Sequence, residues 1–369
     1  MRLGRTLLLQ LIFLVTGVID TLVKQFLHYV GAADSRSLLT ILATYFGMVL
    51  VIALPPVKTI KKVLPVASAM STLSAGDNAP AAPNLPSKPN VPASGAVNHS
   101  GVALVAALDL LGQVVLTVGL FLIGSGLFQV IYSSIIVFAA IFNRLFLKRK
   151  MPLQSWLAVL TISFGLALVK IVDTDDPSSS SSSPPSHSHS DSVSDASRRV
   201  TIGFFVSLLG TAIFSGVYTL NDALLSTRTR APPRQQCFYV GLYASLGCAF
   251  LMLAISIPTL TSMPLAHPDV IVGYLVLVAS SFAHNATYFE LLGSTGAVAT
   301  GVIQALRAVG VFLLSHVFYC RTDQTQCFTA GKGLSTFVVG GGVIWFAYSR
   351  SRTAASSYAT VKNEEVAID

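Results

Sequence analysis

The chain has 369 residues, 53% of them hydrophobic and 11% charged, with a formal net charge of +8. An ordinary soluble domain carries about 25% charged residues, so this composition excludes a water-soluble globule of the same size. Lys and Arg stand in short clusters between apolar blocks, without interleaved aromatics, which argues against nucleic acid as a partner. The four cysteines lack metal-ligand spacing, so neither a metal nor a redox cofactor is expected.

In chain order the apolar blocks fall at about 6–30, 37–55, 102–123, 126–147, 153–171, 200–226, 236–258, 269–290, 296–319 and 332–349. Their lengths are close to the ~20 residues an α-helix needs to cross a hydrocarbon core. The expected fold is an all-α integral membrane protein of ten transmembrane helices. The basic start, with Arg2 and Arg5, could be the n-region of a secretory signal peptide. The apolar run that follows is long for one, however, and passes through Asp20 and Lys24 before ending near Tyr29, as suits a first transmembrane helix with polar groups inside it.

Two stretches interrupt the series. The Pro/Ala/Asn/Ser-rich piece at 56–101 and the serine-rich piece at 173–199 lack the apolar content to fold and are expected to be disordered. With the N-terminus in the cytosol, the cytosolic loops hold Lys58, Lys61 and Lys62, then Lys148, Arg149 and Lys150, then Arg228, Arg230 and Arg234, and finally Arg350 and Arg352. The opposite loops are sparse in basic residues. This bias predicts both termini, including the tail 351–369, on the cytosolic side.

Asn98 and Asn285 begin glycosylation patterns, but the first falls in a cytosolic loop and the second inside a helix, so neither is expected to be modified. Cys320 and Cys327 flank a short non-cytosolic loop, where a disulfide or two free thiols would be equally at home.

The serine-rich linker divides the series into five helices (1–172) and five helices (200–350). Five is odd, so the second half enters the membrane from the opposite side and the halves form an inverted repeat. Helix one carries Thr21, Lys24 and Leu27 where helix six carries Thr219, Asp222 and Leu225. Helix four has Gln129 and Tyr132 where helix nine has Gln304 and Arg307.

The segments Leu14–Leu22 (LVTGVIDTL), Phe128–Phe138 (FQVIYSSIIVF), Phe146–Lys150 (FLKRK), Trp156–Ala158 and Gln304–Ser315 resemble the drug/metabolite transporter superfamily. Within it the resemblance is to the nucleotide-sugar-transporter-like solute carrier 35 class, subfamily F. It implies ten helices, two structural repeats, a central cavity and alternating access. Similar family members often carry Arg at the position of Tyr132, and its loss here makes the pocket less suited to a doubly charged nucleotide sugar.

A charge near the bilayer centre costs at least about 2.5 kcal/mol, so intramembrane charges are default candidates for function or for a buried pair. Asp20 and Lys24, four apart on helix one, either neutralise each other or line the cavity with Gln129, Tyr132 and Ser133. Arg307 shares a helix face with Gln304 and must find an anion. That anion is either Asp222 or Glu290, or a substrate group. Asp222 and Arg307 are expected to form a cytosolic gate.

Asp109 and Glu290 are candidates to carry a coupling proton, since burial favours the neutral acid. For Glu290 a water-contacting interfacial role competes. Asn221, Asn285 and Tyr288 are cavity candidates with interhelical hydrogen bonding as the alternative, and His284 and His316 are weaker members. Gly340, Gly341 and Gly342 lack the trailing Lys of a P-loop and read as a helix-contact stripe. His187 and His189 read as part of a solvated loop.

No catalytic constellation stands out, so an enzyme is not expected. The expected function is secondary transport of a small organic solute, with a nucleotide-sugar antiporter and a non-transporting interaction protein as alternatives. The expected partners are the solute and the lipid bilayer, with a homodimer left open, in an endomembrane such as Golgi, lysosome or vacuole.

Overall fold

The computed structural model describes residues 2–34, 37–54, 97–149, 151–174, 191–226, 231–256, 263–322 and 326–366. The described residues are helical, without strands. In chain order the α-helices are α1 (Arg2–Tyr29), α2 (Leu39–Leu50, prolonged by a 3-10 turn at Val51–Ala53), α3 (His99–Tyr132), α4 (Ile135–Leu145) and α5 (Leu153–Thr174). They continue as α6 (Asp191–Ser226), α7 (Pro233–Ile255), α8 (Pro268–Thr295), α9 (Ala297–Tyr319) and α10 (Ala330–Val366). Seven of these contain a segment long and apolar enough to cross a membrane, and Leu39–Ala53, Ile135–Leu145 and Leu153–Gly165 are shorter apolar pieces.

Large apolar side chains face outward around the bundle, Phe337 and Phe250 being 81% and 72% exposed. Such a surface suits lipid and not water. The helices also hide their own hydroxyls. Thr16, Thr211 and Thr219 donate to the carbonyls four residues back, at 2.6, 2.7 and 3.0 Å, which lets a polar residue sit in an apolar helix without an open hydrogen bond.

Between helices in lipid, small residues drive association by letting backbones approach. The α3/α6 interface is of this kind: Gly119 packs on Ser207, Gly210 on Leu116, and Gly101 on Leu224. These contacts run antiparallel. The two predicted spans at 102–123 and 126–147 are not separated as expected, because helical hydrogen bonding runs unbroken to Tyr132 and the break falls at Ser133–Ser134.

The chain nevertheless doubles back. Gly112 packs on Phe214 and Ile123 lies against Gly203, yet Tyr132 returns to meet Phe214 with ring centroids 6.3 Å apart, and the Ile135 carbonyl accepts from Ser215. A straight helix would carry Tyr132 about 30 Å beyond Gly112, which no single phenylalanine can bridge. The reversal therefore lies between Ile123 and Tyr132, within continuous helix.

Two further boundaries differ from expectation. α6 starts at Asp191, inside the stretch expected to be disordered, and α10 runs past 349 to Val366. Propagating an established helix costs little per residue, so helices overrun the apolar window that nucleates them. The serine run with His187 and His189, and the basic cluster from Lys58 to Lys62, lie outside the described residues, as do Lys150, Arg228 and Arg230.

α1 packs along α8 as α3 packs along α6; α2 meets α8 as α7 meets α3; α1 touches α9 as α6 touches α4. α2 also meets α7, α4 meets α9, and α5 pairs with α10 at the side of the bundle. The buried core of residues such as Phe13, Tyr45, Ile135, Leu291 and Phe289 runs through the middle of this arrangement.

Candidate functional site

A cavity of about 160 Å³ lies at the centre, lined from α1, α2, α3, α6, α7, α8 and α9. Among the described residues, α4, α5 and α10 contribute none of its lining. Of the residues singled out from sequence, Asp20, Lys24, Asp109, Tyr132, Asn221, Asn285, Tyr288, Gln304 and Arg307 line it, and so does His284. Ser133 is buried outside the lining, and the side chain of Gln129 lies outside the described residues.

Asp20 is held from α8, where both Ser280 and Ser281 donate to its carboxylate, the latter at 2.9 Å. It forms no ion pair with Lys24 within 4.0 Å among the described residues, although the two charges are within electrostatic reach. Of the two expectations for this pair, a direct bridge is not formed among the described residues, and both side chains line the cavity.

Arg307 sits where α1 has no side chain. A Cβ on Gly17 would lie 2.7 Å from Arg307 Cδ and 2.8 Å from His284 Cε1, so the glycine is the space into which the arginine's stem fits. With its amide oxygen turned toward the guanidinium, Gln304 accepts from Arg307 Nε at 3.3 Å and Nη1 at 2.9 Å. The guanidinium also lies over the Tyr132 ring, 5.6 Å from its centroid, a cation–π contact. The i to i+3 relation of Gln304 and Arg307 thus becomes a real contact.

Neither Asp222 nor Glu290 is its counter-ion. Asp222 accepts from Arg149 Nη1 at 2.8 Å, from Ser226 at 3.1 Å and from the Ala297 backbone N–H at 3.0 Å. Gly296, at φ +83°, makes the turn that ends α8 and presents the N-terminus of α9 to this carboxylate. A carboxylate at a helix N-terminus is favoured by the exposed N–H groups and the helix dipole. The expected Asp222–Arg307 gate is therefore corrected to an Asp222–Arg149–α9 junction.

Glu290 pairs with Arg234 Nε at 3.5 Å and Arg5 Nη2 at 3.8 Å, away from the cavity. Its partners come from α1 and α7, so of its two expected roles the interfacial one fits this position.

Asp109, 7% exposed and lining the cavity, has no salt bridge and no side-chain hydrogen bond in good geometry among the described residues. The Tyr45 hydroxyl lies near it, close enough to interact but off hydrogen-bonding geometry. The Tyr288 hydroxyl likewise lies near Asn221 but off hydrogen-bonding geometry, while Asn221 accepts from Gln236 at 2.7 Å and Asn285 donates to the Ser281 carbonyl at 2.9 Å.

Sequence reasoning missed Tyr45, Gln113, Phe128, Phe214 and Tyr218. Aromatics are common in apolar helices and carry no local signal of facing a cavity. Gln113, a polar amide inside α3, was the one sign available.

His284 stacks on Phe13 at 4.4 Å between centroids, with Nδ1 3.0 Å from the Phe13 carbonyl. At the opposite end of the bundle, Cys320 and Cys327 are joined as a disulfide. His316 approaches the same two sulfurs within 4.8 Å, but sulfurs bonded to each other are not the thiolates a metal requires.

Residues 99–229, from the start of α3 to just past α6, match the family model of the nucleotide-sugar transporters. An uncharacterized protein of Schizosaccharomyces pombe is 25% identical over 156 residues, which is 42% of this chain and 41% of that protein. The match thus spans about two fifths of the length of this curated relative. Taken with its helices and lipid-suited exterior, the chain is a multi-pass membrane protein similar to nucleotide-sugar transporters over residues 99–229.

Proposed function

We propose that the chain is a secondary transporter that moves a small organic solute through the central cavity by alternating access. The observation that carries this reading is a cavity walled by helices of both halves, with Asp109 buried and Arg307 half-buried in its wall and neither paired with an opposite charge within 4.0 Å among the described residues. Buried charges without partners are costly in lipid, and a solute that completes them is the economical explanation.

The packing pattern supports two inverted five-helix repeats. The most extensive helix contacts have counterparts under exchange of αn with αn+5: α3 with α6 and α8 with α1, α2 with α8 and α7 with α3, α1 with α9 and α6 with α4. The reversal inside α3 supports ten crossings, with the returning limb completed by α4. Arg5, Arg149 and Arg234 gather at one end of the bundle, which supports a cytosolic placement of that end and of both termini. By the family likeness the membrane is an endomembrane.

A nucleotide-sugar antiporter is the second reading, favoured by the match over 99–229. The cavity volume and Tyr132 weigh against it, since ligand pockets for drug-sized molecules usually run to about 300–1,000 Å³. Counterflow in proteoliposomes, with nucleotide sugars and small metabolites in parallel, tests both. Saturable exchange of any solute supports transport, and silence across the whole panel would leave a non-transporting interaction protein as the reading.

A further inference from the structure

We infer that the cavity takes a zwitterion of amino-acid size, with the ammonium group of the solute at Asp109 and its carboxylate at Arg307. This rests on the transport reading above and names the substrate class of the same site.

The charge pattern of the cavity wall leads there. It carries two carboxylates, Asp20 and Asp109, and two cations, Lys24 and Arg307. Formal charge balances, so a solute bearing a net double negative charge, as a nucleoside diphosphate does, would enter a site with no surplus cation to meet it. Burying unmatched charge costs several kcal/mol per ion.

The four groups are not equally engaged. Each carboxylate oxygen of Asp20 already accepts from a serine of α8, one from Ser280 and the other from Ser281. Lys24 stands within electrostatic reach of both carboxylates and counters them in part, while Asp109 and Arg307, on different helices, each lie more than 4.0 Å from an opposite charge among the described residues, so a carboxylate and a guanidinium remain to be completed from inside the cavity. Tyr132 and Tyr218 lie within electrostatic reach of both. These rings, with Phe214 tilted against each of them, offer an apolar wall for the solute's side chain and π faces for its ammonium group. A volume of about 160 Å³ limits the solute to a small molecule.

The test is counterflow by the full-length protein in proteoliposomes, which needs no ion gradient. The probes are phenylalanine, its deaminated analogue 3-phenylpropionate, its decarboxylated analogue phenethylamine, and a nucleotide sugar. Phenylalanine is expected to exchange at least tenfold faster than either analogue at equal concentration. Asp109→Asn is expected to reduce phenylalanine affinity about tenfold or more while leaving inhibition by 3-phenylpropionate unchanged, and Arg307→Gln to leave inhibition by phenethylamine unchanged.

Equal exchange of all three phenyl compounds, or exchange of the nucleotide sugar alone, overturns the inference and leaves transport standing. An Asp109→Asn protein with normal phenylalanine counterflow overturns the assignment of Asp109. Should the variants fail to fold, thermal stabilisation of the unsubstituted protein by phenylalanine and by neither analogue carries the same decision. No exchange of any solute overturns the transport reading itself.

Discussion

The central cavity and the arginine-rich end of the bundle use the same residue types to opposite ends. At the rim, Asp222 is met by Arg149, Ser226 and the first N–H of α9, and Glu290 by Arg5 and Arg234. In the cavity, Asp109 and Arg307 face space. A charge whose partners all come from the protein is part of the scaffold. One whose surroundings are polar, buried and incomplete is poised for something that arrives from outside. Sequence position does not separate the two, since Asp222 and Arg307 lie in equally apolar helices.

The contrast breaks most visibly at Arg307. Arg307→Gln is expected to lower solute exchange by about tenfold to a hundredfold, the worth of one or two hydrogen bonds to a charged group, with gel-filtration behaviour unchanged. Exchange at the parental rate would mean that Arg307 belongs to the scaffold after all.

Asp222→Ala should do the reverse. It removes an ion pair and the cap of α9, and a thermal-unfolding series should register a loss on the order of 2 kcal/mol. Asp222→Asn, which keeps an acceptor for the Ala297 N–H, should recover part of it. A stable Asp222→Ala protein with exchange abolished would move Asp222 from scaffold to mechanism.

Gly17→Ala probes the boundary between the two regions. The added methyl would stand 2.7 Å from Arg307 Cδ, so the arginine must shift. Overpacking costs about 1–3 kcal/mol, expected here as a severalfold rise in KM with the maximal rate largely kept. An unchanged KM would show that the position of the Arg307 stem is immaterial.

The smallest effect is expected from Glu290→Gln. Its pairs are long and one partner, Arg5, is more than half exposed, so the stability change should stay below about 1 kcal/mol. Loss of proton-driven accumulation with counterflow intact would instead restore Glu290 as a coupling group.

Much of the site was legible as residues and little of it as relations. Asp20, Lys24, Asp109, Gln304 and Arg307 stand out because charge and amide groups are rare in apolar segments. Their partners did not stand out. Ser280 and Ser281, which hold Asp20, are ordinary helix residues until α8 is laid along α1. Arg149 looks like one more cytosolic topology signal until it reaches Asp222. Tyr45 and Tyr218 are indistinguishable in sequence from lipid-facing aromatics. The gate expected between Asp222 and Arg307 failed because both lie on apolar helices at depths that only the packing assigns.

Composition and block length by themselves determined that the chain is all-helical and suited to lipid, since each apolar run of about twenty residues must satisfy its own backbone hydrogen bonds. Tertiary structure alone decided that helical bonding carries on through the reversal to Tyr132, which carboxylates are answered by the protein, and which charges share the cavity. The physical reason is range. Hydrophobic length is a property of neighbours in the chain, whereas the neutralisation of a buried charge depends on groups a few ångströms away that come from helices hundreds of residues apart.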